Sequence, residues 1–318
     1  MKFVFLMDPL EGVVMHKDTS FIFMHEAHKR GHEVYYLAND GIEFYRNQLR
    51  FQVQKVTPQK IAKQPFIEGD KVTLSEFDVD ALFIRSEPPF SDEYLMNTWM
   101  LDQKRNDKLF IVNSPDGIRK VNEKVWTTQF GKHIPETVVT SHQKSFRQFL
   151  DEQKQIIAKP TDGFGGTGVF KVKADGDNKN VIFEMLSENG KKKVILQEYV
   201  PEAELGDKRI LLLNGDILGA VMRVHGEGDH RNNFFAGGTA EACEITEEDK
   251  KVCAALKPLL QELGLYFVGI DLLGKKLIEV NVTSPTCLQE MNSLYGWKLE
   301  EKVVQFVENQ ITDLKCLN

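Results

Sequence analysis

Three oxygen-bearing side chains stand close together near the C-terminal end of the chain. They are Asp271, Glu279 and Asn281, in the stretch Phe267-Val-Gly-Ile-Asp271-Leu-Leu-Gly274-Lys-Lys-Leu-Ile-Glu279-Val-Asn281. The stretch reads as a β-hairpin, with Ile270 and Leu272 apolar on one strand and Ile278, Val280 and Val282 on the other. Strand side chains alternate between faces, so Asp271, Glu279 and Asn281 share the face opposite that apolar set. A three-residue loop, Gly274 to Lys276, pairs 272 with 278 and 271 with 279. Two carboxylates directly across a strand pair, ~5 Å apart, repel each other unless something lies between them. A hard dication relieves that repulsion. Since all three side chains offer oxygen and none is His or Cys, magnesium suits the set and zinc does not. A solvent-facing hairpin face gives the same residue pattern, and this segment alone leaves both readings open.

A second stretch is Lys159-Pro-Thr-Asp-Gly163-Phe-Gly165-Gly166-Thr-Gly168. It contains G-x-G-x-x-G, yet Val-Phe-Lys-Val follows Gly168, which is β-like and not the start of the helix a dinucleotide fingerprint requires. Gly-Lys-Ser/Thr is missing, so it is not a Walker A loop either. A strand, a glycine loop and another strand make a flap whose backbone N–H groups approach phosphate oxygens and form an anion nest. Lys159 adds positive charge at the strand's end. The alternative is a plain glycine-rich hairpin.

Lys124, in Asn122-Glu-Lys124, precedes a short helix over Val125 to Phe130 and alone reads as a surface lysine. Gln197-Glu198-Tyr199-Val200-Pro201 ends a buried strand, whose exit can offer backbone groups to an adenine edge or be an ordinary strand end. Arg209 and Arg223 lie on consecutive strands, and Arg231 lies in a loop, 226–238, with glycines near both ends, as in a mobile lid. Arginine's fork suits carboxylate and phosphate. The simplest hairpin about Asn214-Gly215 puts Arg209 and Arg223 on opposite faces, so a bulge or bend is needed for both to serve one site. The eight histidines form no H-E-x-x-H, and His25, His28 and His32 read as a solvated helix face.

These residues need a scaffold. At 318 residues the chain exceeds one typical core, so two or three subdomains are expected. Hydrophobic content of 42% and charged content of 27% are those of an ordinary globule. A net charge of −7 argues against nucleic acid or an anionic membrane as main partner. Four cysteines without C-x-x-C spacing suit a reducing compartment. No apolar run reaches the ~20 residues of a membrane span, so the cytoplasm is the expected setting.

The first third alternates strand and helix: strands at Lys2 to Met7, His32 to Leu37, Asp80 to Ile84 and Leu109 to Val112, helices at Phe21 to Lys29 and Asp92 to Arg105. This predicts a small parallel sheet with helices on both faces. Between residues 50 and 75 no pattern specifies an element. After Asn113-Ser-Pro115 the style changes to α+β of mainly antiparallel character. Strands are expected at Thr137 to Thr140, Gln155 to Lys159, Val169 to Val172, Val194 to Val200, Arg209 to Leu213 and Ile217 to Val224. The hairpin above follows, and a last helix over Lys298 to Gln310.

Taken together, the pieces resemble the bacterial glutathione synthetase family of the ATP-grasp superfamily, over nearly the whole chain. The resemblance is carried by Met7-Asp8-Pro9, Arg85 with Pro88-Pro89-Phe90, Asn122-Glu-Lys124, Lys159-Pro with Asp162-Gly163 and Gly165-Gly166, Gly206-Asp-Lys-Arg209, Ala236-Gly-Gly238, and Val268-Gly-x-Asp271 through Glu279-Val-Asn-Val-Thr-Ser-Pro-Thr286. Asp-x7-Glu-x-Asn marks ATP-grasp enzymes generally, and Asn-Val-Thr-Ser-Pro-Thr narrows to this family. The chain departs from the pattern at Glu87, where Asp is expected, and at Phe234-Phe235, where small residues are expected.

The resemblance implies an ATP-grasp fold with an N-terminal Rossmann-like domain: residues 1–122 for that domain, 123–200 for a central lid subdomain and 201–318 for a C-terminal catalytic subdomain. It implies that Lys124, Lys159 and the loop glycines Gly163, Gly165, Gly166 and Gly168 bind ATP phosphates. Glu198 and Val200 would meet adenine through their backbone, and Asp207 the ribose. Asp271, Glu279 and Asn281 would hold two magnesium ions, manganese being able to substitute, and Arg209 would be catalytic, beside the reacting carboxylate. Arg85, Arg223, Arg231, Ser284 and Thr286 would line the peptide site. The implied substrates are γ-glutamylcysteine, glycine and ATP, in a cytoplasmic dimer or tetramer. Another carboxylate–amine ligase on the same scaffold, of D-alanine or glutamate-adding type, is the alternative. A phosphotransferase or a non-catalytic ATP-binding regulator stands further off.

Overall fold

The computed structural model describes residues 1–163, 165–224 and 239–316. Its strands form three sheets. The first sheet is built from β1 (Lys2–Leu6), β2 (Glu33–Tyr45), β3 (Gln48–Pro58), β4 (Phe66–Ser75), β5 (Ala81–Ile84) and β6 (Phe110–Val112), in the order β4-β3-β2-β1-β5-β6. The four strands β2-β1-β5-β6 are parallel, as the βαβ alternation predicts.

Phe3 and Phe5 face one side of that sheet. They pack with Phe21 and Phe23 of α1 (Thr19–Lys29) and with Val303 and Val307 of α8 (Leu299–Cys316). Val4 and Leu6 face the other side, with Tyr94 and Leu101 of α2 (Asp92–Leu101) and Ile118 of α3 (Pro115–Lys120). α1, α2 and α3 each start on a side-chain cap: Asp18 accepts from the Phe21 N–H, Ser91 from Tyr94 and Ser114 from Gly117.

Two differences from expectation have physical causes. The helix expected to run to Arg105 stops at Leu101. The buried Glu76 carboxylate accepts the N–H groups of Arg105 (2.5 Å) and Asn106 (2.9 Å), which fixes them in a loop. The segment with no assigned element is the antiparallel pair β3–β4. β4 is the sheet's edge and buries only Phe66 and Leu74 of its ten residues, so it carries no alternation to read.

The second sheet joins β7 (Thr137–Thr140), β8 (Gln155–Pro160), β9 (Phe170–Lys173) and β10 (Val194–Glu198) in the order β7-β10-β8-β9, all antiparallel. Ile156 and Ala158 of β8 pack under α4 (Gln143–Gln153) and α5 (Lys179–Leu186) with Phe146 and Phe183. The alternate positions, Ile157 and Lys159, therefore face away from those helices. Ahead of this sheet, Val125–His133 is a 3-10 helix broken at Phe130 and Gly131, where the sequence predicts one short helix.

The third sheet is β13-β12-β11-β14-β15, from β11 (Asp207–Leu213), β12 (Asp216–Val224), β13 (Thr239–Glu241), β14 (Phe267–Leu273) and β15 (Lys276–Asn281). All its pairs are antiparallel. α6 (Glu247–Glu262) covers one face, packing Val252, Leu256 and Leu260 on Ile210, Leu212, Ile270, Leu272, Leu277 and Val280. A capping box between Thr246 and Asp249 starts α6. α7 (Leu288–Tyr295) follows the segment that leaves β15. No helix among the described residues is long and apolar enough to cross a membrane.

Candidate active site

The face of the third sheet left bare by α6 carries the chemistry. Glu279 pairs directly with Asp271, and Asp271 with Arg209, so one level of the sheet presents acid, acid and base across β15, β14 and β11. The hairpin itself differs from expectation in one detail. Its turn is the two residues Gly274 and Lys275, with Leu273 paired to Lys276 and Leu272 to Leu277. A bulge at Ile278 then restores the 271–279 pairing. Leu277 takes the core position expected of Ile278, and Ile278 lines the cavity.

A second bulge brings the arginines together. Leu211 pairs with Gly219 but Leu212 pairs with Ile217, so β12 carries an extra residue at Leu218. This shift sets Arg223 opposite Asp207 and on the same face as Arg209. Arg223 donates from Nε and Nη2 to both Asp207 oxygens at 2.6 and 2.8 Å, and Nη2 also lies 2.8 Å from Asp271 Oδ2. Arg209 donates from Nε to Asp271 Oδ1 and from Nη2 to Asp271 Oδ2. Burial alone would raise the Asp271 pKa, but the two guanidinium groups override it and hold the carboxyl well below its usual range. The predicted ribose ligand Asp207 thus has both oxygens on Arg223.

Room for Arg209 depends on a glycine. A Cβ at position 269 would lie 2.9 Å from Pro285 Cβ and 3.2 Å from Arg209 Cδ. Gly269→Ala is expected to cost about 1–3 kcal/mol through overpacking and to displace the Arg209 side chain. Urea unfolding with kcat checks this; a variant of unchanged midpoint and turnover would refute it.

Facing this row across a cavity of about 610 Å³ is the second sheet. Gly163, Gly165, Gly166, Thr167 and Lys159 line it from that side. Gly165, Gly166 and Gly168 adopt φ of 61°, 76° and 74°, a region that favours glycine. Lys124 bridges the two walls, its Nζ 2.5 Å from both Glu279 Oε1 and the Gly163 carbonyl. Burial would lower its pKa, but the Glu279 carboxylate prevails and the net shift is upward. Lys159 is buried against a neutral partner, donating to Gln197 Oε1 at 3.0 Å, and burial pushes its pKa down to about 8.

Glu198 and Val200 also line the cavity, with Tyr199 and Leu273. The Glu198 N–H donates to the Glu136 carbonyl, and the Val200 carbonyl accepts from the Ala203 N–H. Contacts to a base from these two residues therefore fall to the Glu198 carbonyl and the Val200 N–H. Lys171 stacks over the Tyr199 ring at 3.9 Å. Ser284 and Thr286 line the cavity near Arg209 and Arg223.

Arg85 does not line that cavity. It is 4% exposed, donating to Ser20 Oγ and to the Pro285 carbonyl, both at 3.0 Å. Its place is therefore beneath the Ser284-Pro-Thr286 turn, where burial pushes its pKa down to about 10. Arg231 and the rest of the predicted lid, 226–238, lie outside the described residues. Residues that sequence reasoning passed over are Glu123, Gln197 and Lys171. The only available signal was their place beside Lys124, in the strand before Glu198 and after the glycine loop.

Asp271, Glu279 and Asn281 meet on one face, with Asn281 Nδ2 3.4 Å from Asp271 Oδ2. Among the described residues no group of three or more His, Cys, Asp or Glu side chains could hold a metal, so an ion here would depend on the asparagine oxygen. The all-oxygen donor set fits a hard dication. The balancing charge comes from Lys124 on Glu279 and from Arg209 and Arg223 on Asp271.

Two antiparallel sheets closing on a glycine loop, two lysines and an acid–acid–base row define an ATP-grasp ligase. Solved structures agree on the fold. A D-cycloserine synthetase, DcsG, superposes with a TM-score of 0.67 at 14% identity, over 96% of this chain and 99% of that one. The ATP-grasp ligase PsnB complexed with minimal precursor gives 0.63 at 17%, over 96% and 98%. The family model for the prokaryotic glutathione synthetase N-terminal domain matches residues 1–119, and that for its ATP-grasp domain residues 123–296. Glutathione synthetase of Synechocystis sp. is 38% identical over 98% of this chain and 100% of its own length. That of Vibrio parahaemolyticus is 35% identical over 96% and 97%. The chain belongs to the prokaryotic glutathione synthetase family.

Proposed function

We propose that the chain joins the cysteinyl carboxylate of γ-glutamylcysteine to the amine of glycine, using ATP and passing through an acyl phosphate. The observation that carries this reading is the cavity in which the Glu279–Asp271–Arg209 row faces Lys124, Lys159 and the glycine loop. A carboxylate is a poor acyl donor, so it must first take the γ-phosphoryl group. Phosphoryl transfer needs positioning and charge neutralisation more than covalent help. Lys124, Lys159 and the loop N–H groups would hold the phosphates. Asp271, Glu279 and Asn281 would hold magnesium, with manganese able to replace it, which neutralises charge on the transferring group when bound.

Arg209, which lines the cavity beside Asp271, would stabilise the oxyanion formed when glycine attacks. Asp207 would reach the ribose once Arg223 turns to the peptide. Arg223, Ser284 and Thr286 would hold the peptide, with Arg85 setting the turn that carries the last two. The three sheets would be three units, 1–122, 123–200 and 201–318. A homo-oligomer in the cytoplasm fits the family and the four free cysteines.

With ATP, magnesium, γ-glutamylcysteine and glycine, the expected result is free phosphate and tripeptide in equal amounts. Phosphate release only with D-alanine, ADP without free phosphate, or no turnover would each contradict the reading.

Lys159 supplies a separate pH test. Its pKa of about 8 in the free protein means that it loses its charge as pH rises past that value. Bound phosphate favours the charged form, so ADP affinity should fall as pH rises above 8, by up to about tenfold per unit. Calorimetry from pH 7 to 9.5 on the parent and on Lys159→Met checks this. A flat profile in the parent, or the same slope in the variant, would remove Lys159 from the phosphate site.

A further inference from the structure

We infer that Glu123 is a positioning residue that fixes the outer edge of β15 and so aims Glu279, Asn281 and Lys124 at one point; the inference rests on the proposed roles of those three residues. Among the described residues β15 is the last strand of its sheet, so alternate N–H groups point away from β14 with no strand among those residues to receive them. One of these, at Val280, and the N–H of Val282 just past the strand's end flank Asn281. Glu123 receives both: its main-chain carbonyl accepts from Val280 N–H at 2.8 Å and its carboxylate Oε1 from Val282 N–H at 2.8 Å. The same Oε1 accepts from the Thr283 N–H at 3.1 Å and the Thr283 hydroxyl at 2.9 Å.

One residue thus spans the strand on both sides of Asn281 and continues to Thr283, just before Ser284. The residue next in sequence is Lys124, whose ammonium lies on Glu279. Fixing Glu123 to β15 therefore fixes the lysine's backbone relative to the carboxylate it meets. Asn122 ties the same segment to the opposite wall, donating from Nδ2 to the Thr161 carbonyl at 3.1 Å. Glu123 is the joint at which these three parts keep their spacing.

The test is Mn²⁺ binding in the presence of ADP, followed by electron paramagnetic resonance, with kcat and KM measured in parallel. Loss of a group that orients ligands lowers metal affinity about 10–100-fold, and that is the expectation for Glu123→Ala, with kcat falling more than the KM values rise. Glu123→Gln keeps an acceptor of the same reach and should stay within about threefold of the parent. If Glu123→Ala does not fold, Thr283→Val carries the test. It deletes one of the three donors to Oε1 and should weaken Mn²⁺ binding about two- to fivefold. Parental affinity in Glu123→Ala, or in Thr283→Val where that variant carries the test, overturns the inference, as does a glutamine variant as impaired as the alanine one. A parent protein that binds no Mn²⁺ with ADP instead removes the metal reading on which the inference stands.

Discussion

Replacing Glu279 by glutamine is expected to leave a folded protein whose turnover falls on the order of 10²–10³-fold. The two effects differ in size because the stability terms at Glu279 oppose each other. It faces Asp271 directly across the strand pair, and like charges in that position are unfavourable. Glutamine removes the repulsion while keeping size and shape. It also removes the carboxylate that holds Lys124 at 2.5 Å and that would hold magnesium. Relief of the repulsion offsets only part of what the loss of the Lys124 partner costs, so the urea midpoint should fall modestly while kcat/KM collapses, and the magnesium requirement should shift to higher concentration. Full turnover in a stable glutamine variant would remove Glu279 from the chemistry.

Arg209→Ala is expected to cost more stability than Glu279→Gln. Arg209 is 5% exposed and Asp271 2% exposed. Removing one partner of a buried ion pair leaves an uncompensated charge at a cost of about 3–5 kcal/mol. Arg223, 2.8 Å from Asp271 Oδ2, moves the expectation to the lower end of that range. Turnover should fall about 10²-fold or more, mainly in kcat, if Arg209 acts on the transition state. Arg209→Lys keeps the charge but loses the fork, so it should recover stability better than turnover. A pure rise in KM with unchanged kcat would mean that Arg209 binds the ground state only.

Much of this site was legible in the chain because the decisive signals were local. Asp271, Glu279 and Asn281 lie within eleven residues of a single hairpin, and period-two alternation is enough to put them on one face. The glycine loop announces itself by composition. What failed to show were the positions of single-residue insertions, and depth. A bulge at Ile278 swaps it with Leu277, and a bulge at Leu218 turns Arg223 onto the face of Arg209. Neither position carries a residue type that marks a bulge.

Depth moved one expected residue and hid another. Arg85 belongs to a recognisable motif, yet it supports Pro285 from below instead of lining the cavity. Glu123 has no distinguishing type, yet it holds the edge of β15 because of contacts some 160 positions away in sequence. For β4 the reason is its edge position, which leaves little buried face and no hydrophobic pattern to read. Its partner β3 does alternate, burying Leu49, Phe51 and Val53.

The central claim is that a carboxylate is activated by phosphorylation in the cavity between the two sheets. The most direct measurement uses γ-glutamylcysteine labelled with ¹⁸O in the cysteinyl carboxylate, with ATP, magnesium and glycine, followed by mass analysis of the released phosphate. An acyl phosphate transfers one carboxylate oxygen to phosphate when the amine displaces it. The account predicts one ¹⁸O per phosphate released and the remaining label in the peptide carbonyl. Unlabelled phosphate formed together with tripeptide would contradict it.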